Sequence, residues 1–341
     1  MIRKTLLVVF AVIAGLMIWC GSVVWYGVEQ GIGQLNVIWN ARPADEILSD
    51  PSFPDSLKSK LKWIETVRGL AIDSLGLKDT KNYKTVYDQK GREVMWVVTA
   101  SEPFQLKPKL WKFPIVGFVP YKGYFNKNKA LAEGKALEQE GWDVSVRNPG
   151  GWSTLGWFTD PILSGMLERN EGDLASLIIH EMVHATLWVK DSVDFNENLA
   201  TFIGDTAAYE FLRVRFGGDS KQYVTYLFED QDYRRYSKHM LRGAIGLDSL
   251  YHTFQSPVPL VEKRKKKEAF IRKIIASLDT LTLHNAKEPS QRFAHRLPNN
   301  AYFMSFRHYQ SKLNRFKVEM SNKFPGNLRG YLKYLAEKYP L

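Results

Sequence analysis

A single cysteine, Cys20, is present in 341 residues, and it lies inside an apolar N-terminal stretch. The remainder of the chain therefore has no thiol for a disulfide or a thiolate metal site, so any metal must be held by histidine, aspartate or glutamate. Internal repeats and low-complexity tracts are also lacking, which leaves no basis for a repeat array or a disordered tail. The formal net charge is +11, yet the basic residues are scattered and no helix-turn-helix, zinc-knuckle or RNA-recognition signature accompanies them. No nucleic-acid partner is expected from such a pattern. The one dense basic run, Lys263-Arg264-Lys265-Lys266-Lys267, reads as the solvated face of a helix.

What is present is an ordinary enzyme-like composition, 45% hydrophobic and 13% aromatic, with ample material for a core. Arg3 and Lys4 precede an uncharged apolar run from Thr5 to Val28. About 20 apolar residues cross a bilayer as a helix, and flanking positive charge favours the cytoplasmic side. The expectation is an uncleaved N-terminal anchor, with the rest of the chain outside the cytoplasm. A cleaved signal peptide is the competing reading. A lipoprotein acceptor at Cys20 is disfavoured by the indole of Trp19 immediately before it.

Past this run, Glu29–Asn40 is helix-compatible and Arg42-Pro43 marks a break. Asp55–Leu75 repeats apolar residues at helical spacing and stops at Gly76. Val94–Val98 and Ile115–Val119 read as strands, Lys127–Glu140 as a helix, and Asp143–Val146 as a further strand. Gly150–Phe158 is a Gly-aromatic strand or hairpin whose edge could receive an extended peptide. Two strong helices follow, Leu174–Val189 and Asn196–Phe216, and the remainder is mainly helical.

The chemistry concentrates in His180-Glu181-Met182-Val183-His184. Positions i and i+4 share one helix face, so both imidazoles can reach one ion, while the intervening glutamate can meet a metal-activated water as general base. Catalytic zinc needs three protein ligands and an open position. Glu197, thirteen residues after His184 and near the start of the second helix, can return to the first helix across the turn Asp191–Asp194. Asp194 and Glu197 also have the spacing of a capping box, but the histidines would then lack a third partner. A histidine-only set in the metzincin manner is excluded, because the positions it needs hold Leu187 and Lys190.

His-Glu-Met-Val-His followed by Asn196-Glu197-Asn198-Leu199-Ala200-Thr201-Phe202 resembles the gluzincin zinc peptidases, and more specifically the bacterial putative aminopeptidase family. Supporting stretches are Ala41–Pro43, Phe113–Gly117, Tyr121–Phe125, Ser153–Phe158 with Asp160-Pro161, and Pro298–Ala301 with Tyr309. The resemblance implies an α+β, gluzincin-like zinc metallopeptidase fold. It would have a small mixed sheet packed on an active-site helix pair, a largely helical C-terminal half and an N-terminal transmembrane helix.

The corresponding organisation is an anchor or signal segment over residues 1–28, a mixed α/β zinc domain over 29–220, and a mainly helical part over 221–341 completing the cleft. One Zn2+ per chain is implied, with His180, His184 and Glu197 as ligands and Glu181 as catalytic base. A peptide is the implied substrate, and aminopeptidase the implied activity. Tyr309, or else Tyr302 or His308, is the candidate oxyanion donor. The expected location is the bacterial cell envelope, membrane-anchored, with the catalytic domain in the periplasm. The exopeptidase motif of other gluzincin aminopeptidases has only a loose echo here, Gly165–Asn170. A non-catalytic, zinc-stabilised scaffold at the membrane is the alternative. The oligomeric state is left open.

Overall fold

The computed structural model describes residues 21, 24–113, 117–149, 159–190, 192–254, 258–309 and 313–339. Helix α1 spans residues 24–39. Strand β1 (Arg42–Pro43), helix α2 (Ala44–Ser49) and helix α3 (Asp55–Leu70) follow. A single π-turn, Ala71–Leu75, extends α3 to Gly76, which ends it at φ 74°, a left-handed geometry that glycine adopts without penalty.

Next come β2 (Thr85–Tyr87), β3 (Trp96–Ser101), β4 (Trp111–Phe113), β5 (Gly117–Val119), β6 (Lys122–Tyr124), α4 (Lys127–Gln139), β7 (Asp143–Arg147) and β8 (Ile162–Leu163). From there the chain is helical: α5 (Glu171–Thr186), α6 (Val193–Phe216), α7 (Lys221–His252), α8 (Leu260–Ala276), α9 (Asn300–Tyr309), α10 (Leu313–Lys323) and α11 (Leu328–Lys338).

The architecture is mixed α/β, mostly helical, with small sheets, and it corrects the expected fold in two respects. First, a small mixed sheet does share the core of the helix pair, as expected, but it holds only three of the eight described strands. The strands divide among β1-β2-β8, with an antiparallel and a parallel pairing, the antiparallel β6-β3-β7, and the hairpin β4-β5.

Second, no helix among the described residues is long and apolar enough to cross a membrane, so the transmembrane helix is not upheld. Residues 1–20 and 22–23 of the expected span lie outside the described residues. The described end of it is bound to the protein itself. Tyr26 donates a 2.8 Å hydrogen bond to the Gly123 carbonyl and packs against Tyr124, Glu29 pairs with Lys129, and the Gly33 backbone lies on the Phe125 ring. The Gly150–Phe158 strand, including Ser153–Phe158, also lies outside the described residues.

The core follows from the helix patterns. Leu61, Ile64 and Val67 of α3, Ile178, Ile179 and Met182 of α5, and Leu199, Ile203 and Leu212 of α6 are almost fully buried in one cluster. Each such aliphatic side chain contributes about 1.5–3 kcal/mol by leaving water. Tyr331 and Leu335 of α11 close the same cluster from the far end of the chain. A second cluster joins α7, α8 and α9 through Met240, Leu247, Ile271 and Phe303, and a third lies between α4 and the β6-β3-β7 sheet.

The basic run Lys263–Lys267 is only partly the solvated face expected of it. Lys267 is buried, donates to the Pro103 carbonyl at 2.8 Å and pairs with Asp143.

Candidate metal centre

Helix α5 begins under a local signal. Asn170 accepts from the Asp173 amide at 2.8 Å, a side-chain cap that starts the helix three residues before the expected Leu174. Its apolar positions face the core, which places His180 and His184, one turn apart, at the seam with α6. The close approach of the two helices is made possible by Gly204. A Cβ there would stand 2.7 Å from the Ser176 carbonyl oxygen and 3.4 Å from the His180 backbone nitrogen. One residue on, Asp205 accepts 2.8 Å and 3.2 Å hydrogen bonds from the hydroxyls of Ser176 and Tyr226.

At the other end of this seam three side chains converge. The Nε2 atoms of His180 and His184 are 3.0 Å apart. Each lies 3.4 Å from a different oxygen of Glu197. Glu197 belongs to the second turn of α6, because the helix starts at Val193 rather than Asn196, with no side-chain hydrogen bond at its N-cap Ser192. That start moves Glu197 out of capping-box register, and its carboxylate points to the histidines. The imidazoles are shielded, with side-chain exposures of 19% and 7%, whereas Glu197 is 47% exposed, so solvent reaches the cluster from the carboxylate side. Burial raises the Glu197 carboxyl, but the facing imidazoles outweigh it and hold the group well below the usual carboxylate range.

The donor set fits a tetrahedral zinc ion. Bonds of about 2.0–2.1 Å at tetrahedral angles separate neighbouring ligand atoms by about 3.4 Å; here one donor atom from each residue lies within 4.8 Å of the others, with a carboxylate oxygen 3.4 Å from each imidazole Nε2. Two imidazole nitrogens and one carboxylate also leave one tetrahedral position for water or substrate.

Glu181 follows His180 on α5, and its field reaches Tyr83. Burial pushes the Tyr83 phenol well up, and the negative charges of Glu181 and Asp160 add to the effect. Tyr83 itself sits at φ 60°, a left-handed backbone that costs a non-glycine residue about 1–3 kcal/mol, and its amide is tied to the Asp160 carbonyl at 2.8 Å. Partial burial and then the Glu197 carboxylate raise the phenol of Tyr121.

Of the oxyanion candidates, only Tyr302 has a described side chain, and it does not join this group. Tyr302 shares a 2.7 Å hydroxyl contact with Tyr236 in the second core. Tyr309 ends α9, and its side chain, like that of His308, lies outside the described residues. Two residues around Glu197 escaped the sequence reading. Thr201, one turn after Glu197, brings its hydroxyl to 3.4 Å from His180 Nδ1. Asn196, just before Glu197, is 1% exposed and bonds both polar atoms of Val189. Their position within the Asn-Glu segment was the only available signal.

A cavity of about 540 Å³ lies elsewhere, between α8 and the Phe293–Asn299 segment, and none of the converging residues lines it.

Compared with curated proteins and with solved structures, the chain yields no match. A family model described as putative aminopeptidase matches residues 25–337. That span takes in α1, the α5–α6 seam with its histidines and glutamate, and the Asn299-Asn300 segment that opens α9. With so much of the chain inside one match, this protein belongs to the putative aminopeptidase family, whose description is that of a peptidase hydrolase.

Proposed function

We propose that the chain is a zinc-dependent peptidase of the gluzincin kind, acting as an aminopeptidase, with His180, His184 and Glu197 holding one Zn2+ per chain. The observation that carries this reading is the convergence of those three side chains at separations suited to one tetrahedral ion. When bound, zinc supplies Lewis acidity that polarises the scissile carbonyl and brings the pKa of a coordinated water toward ~7.

The chain's own residues perform the remaining work. Glu181, adjacent to His180, takes a proton from the attacking water and delivers it to the leaving amine. Thr201 orients His180 through Nδ1, leaving Nε2 directed at the ion. The Tyr121 phenol feels the Glu197 charge and the Tyr83 phenol the Glu181 charge, and both are raised, with burial the larger cause. Location in the cell envelope, with catalysis outside the cytoplasm, is part of the same proposal and rests on Arg3, Lys4 and the apolar run behind them. Cell fractionation checks that part.

The test of the activity is a digest of peptides with free and blocked amino ends, run with and without chelator, followed by mapping of product termini. Chelator-sensitive removal of single residues from free amino ends is the expected result. Cleavage that persists after complete metal removal would refute the zinc mechanism, and cleavage only inside blocked peptides would refute the aminopeptidase assignment.

A further inference from the structure

The two histidines are held in different ways. His180 Nδ1 faces the Thr201 hydroxyl at 3.4 Å. His184 Nδ1 is buried and has no hydrogen-bond partner among the described residues. A metal-binding imidazole is ordinarily oriented by a hydrogen bond at its second nitrogen, so His184 needs another restraint. The structure provides one in the ring of Trp188, packed edge-on at 5.3 Å between centroids with an interplanar angle of 69°.

Trp188 belongs to the non-helical link between α5 and α6, where backbone is usually mobile. Here the link is fastened. The Val189 amide donates to Asn196 Oδ1 at 2.8 Å, and Asn196 Nδ2 donates to the Val189 carbonyl at 2.8 Å. Both polar backbone atoms of the residue after Trp188 are thus bound by one side chain that is itself 1% exposed. Asn196 and Glu197 are consecutive on α6, so a single helical turn carries both the ligand carboxylate and the clamp on the link.

We infer that Asn196 is a positioning residue for His184. It fastens the Val189 backbone, which seats the Trp188 ring against the imidazole and sets its angle relative to Glu197. The inference rests on the metal reading of the cluster but is separable from it by experiment.

The experiment uses the full chain and the variants N196A, N196D, W188A and W188F. Zinc affinity is measured by competition with a chromophoric chelator. The His184 ring signals of the metal-free protein are followed by NMR, and thermal unfolding is recorded in parallel. N196A and W188A are expected to weaken zinc binding by about 10–100-fold, the usual effect of removing a residue that orients a ligand. N196D, which keeps the acceptor but loses the donor, should fall between N196A and the parent, and W188F should stay near the parent.

In the metal-free chain, the His184 signals should shift or broaden in N196A and W188A. Should N196A fail to fold, W188A carries the same test without touching the clamp. Unchanged His184 signals, with zinc affinity equal to that of the parent, would overturn the inference while leaving the zinc reading intact. A parent chain that takes up no zinc, yet shows the expected changes at His184, would overturn the zinc reading and leave the positioning role standing.

Discussion

Two segments of this molecule carry polar residues in apolar surroundings, and they do opposite things with them. At the α5–α6 seam, nitrogen and oxygen atoms of His180, His184 and Glu197 face one another across a small gap. At the start of α9, Asn300 is 0% exposed and every contact it makes is internal. It accepts from Tyr251 at 2.7 Å, its amide donates to Asp143 at 2.7 Å, and its side chain donates to the Glu102 carbonyl at 2.8 Å. Lys267 and Asn299 extend the same lattice to Pro103 and Val144. A buried polar cluster bonded within the protein in this way holds the fold together. One whose donor atoms converge on a gap is held for something else.

The comparison breaks most sharply at Glu181, the proposed base. Glu181→Gln should leave zinc stoichiometry and thermal stability near the parent while lowering peptide hydrolysis by about 10²–10⁴-fold, the ordinary contribution of a general base. Paired metal analysis and peptide assays check it; a variant that hydrolyses at the parental rate would remove Glu181 from that role.

Asn300→Ala is the converse. It removes the side-chain acceptor of the Tyr251 hydroxyl and the side-chain donor to the Glu102 carbonyl, while the backbone bond to Asp143 remains, at about 1–3 kcal/mol for each group left buried and unpaired. A marked fall in unfolding midpoint is expected, with zinc affinity of the folded protein unchanged. If metal affinity fell while stability held, the segment would belong to the site after all.

A smaller effect is expected at Gly204→Ala, where the added Cβ meets the Ser176 carbonyl. Overpacking costs about 1–3 kcal/mol. Because it pushes α5 from α6 within a turn of His180, both the denaturation midpoint and the zinc dissociation constant should move together.

The mildest test concerns Asp205. Its carboxyl is raised above the ordinary value, by burial first and by the Asp230 charge, against the lowering effect of its Ser176 bond. A group whose folded pKa is raised contributes stability that is present at low pH and is lost as pH rises from the unfolded value through the folded one. Asp205→Asn keeps an oxygen acceptor for Ser176 and Tyr226 but cannot ionise. Its stability relative to the parent should therefore increase as pH rises from about 4, the ordinary carboxylate value, toward neutrality. Urea titrations across that range measure the slope, and equal slopes in both proteins would mean that Asp205 is not the group responsible.

Much of the candidate site was legible because its parts are local. A four-residue interval on an apolar helix places two imidazoles on one face whatever the helix packs against. The stop at Gly76 was equally readable, since a left-handed residue ends a helix by its own sterics. Other features resisted. Asp194 and Glu197 have cap spacing, and only the start of α6 at Val193 removed that reading. The basic run gave no hint that Lys267 turns inward to Asp143, since its partner lies far away in sequence. The three small sheets depend on pairings between distant short strands, such as β2 with β8, which no local pattern specifies.

By itself, then, the sequence determined which residues could act: two histidines and a glutamate on one helix, a second carboxylate within reach, and no thiol beyond Cys20 in the N-terminal apolar stretch. Only the tertiary structure decided which carboxylate met the histidines, how each imidazole was held, and that the Asn299-Asn300 pair was architecture. The physical reason is that helical periodicity assigns side chains to faces, whereas convergence depends on how closely two helices approach. Here that approach is set by a glycine seated against a carbonyl and an asparagine fastened to the link between them.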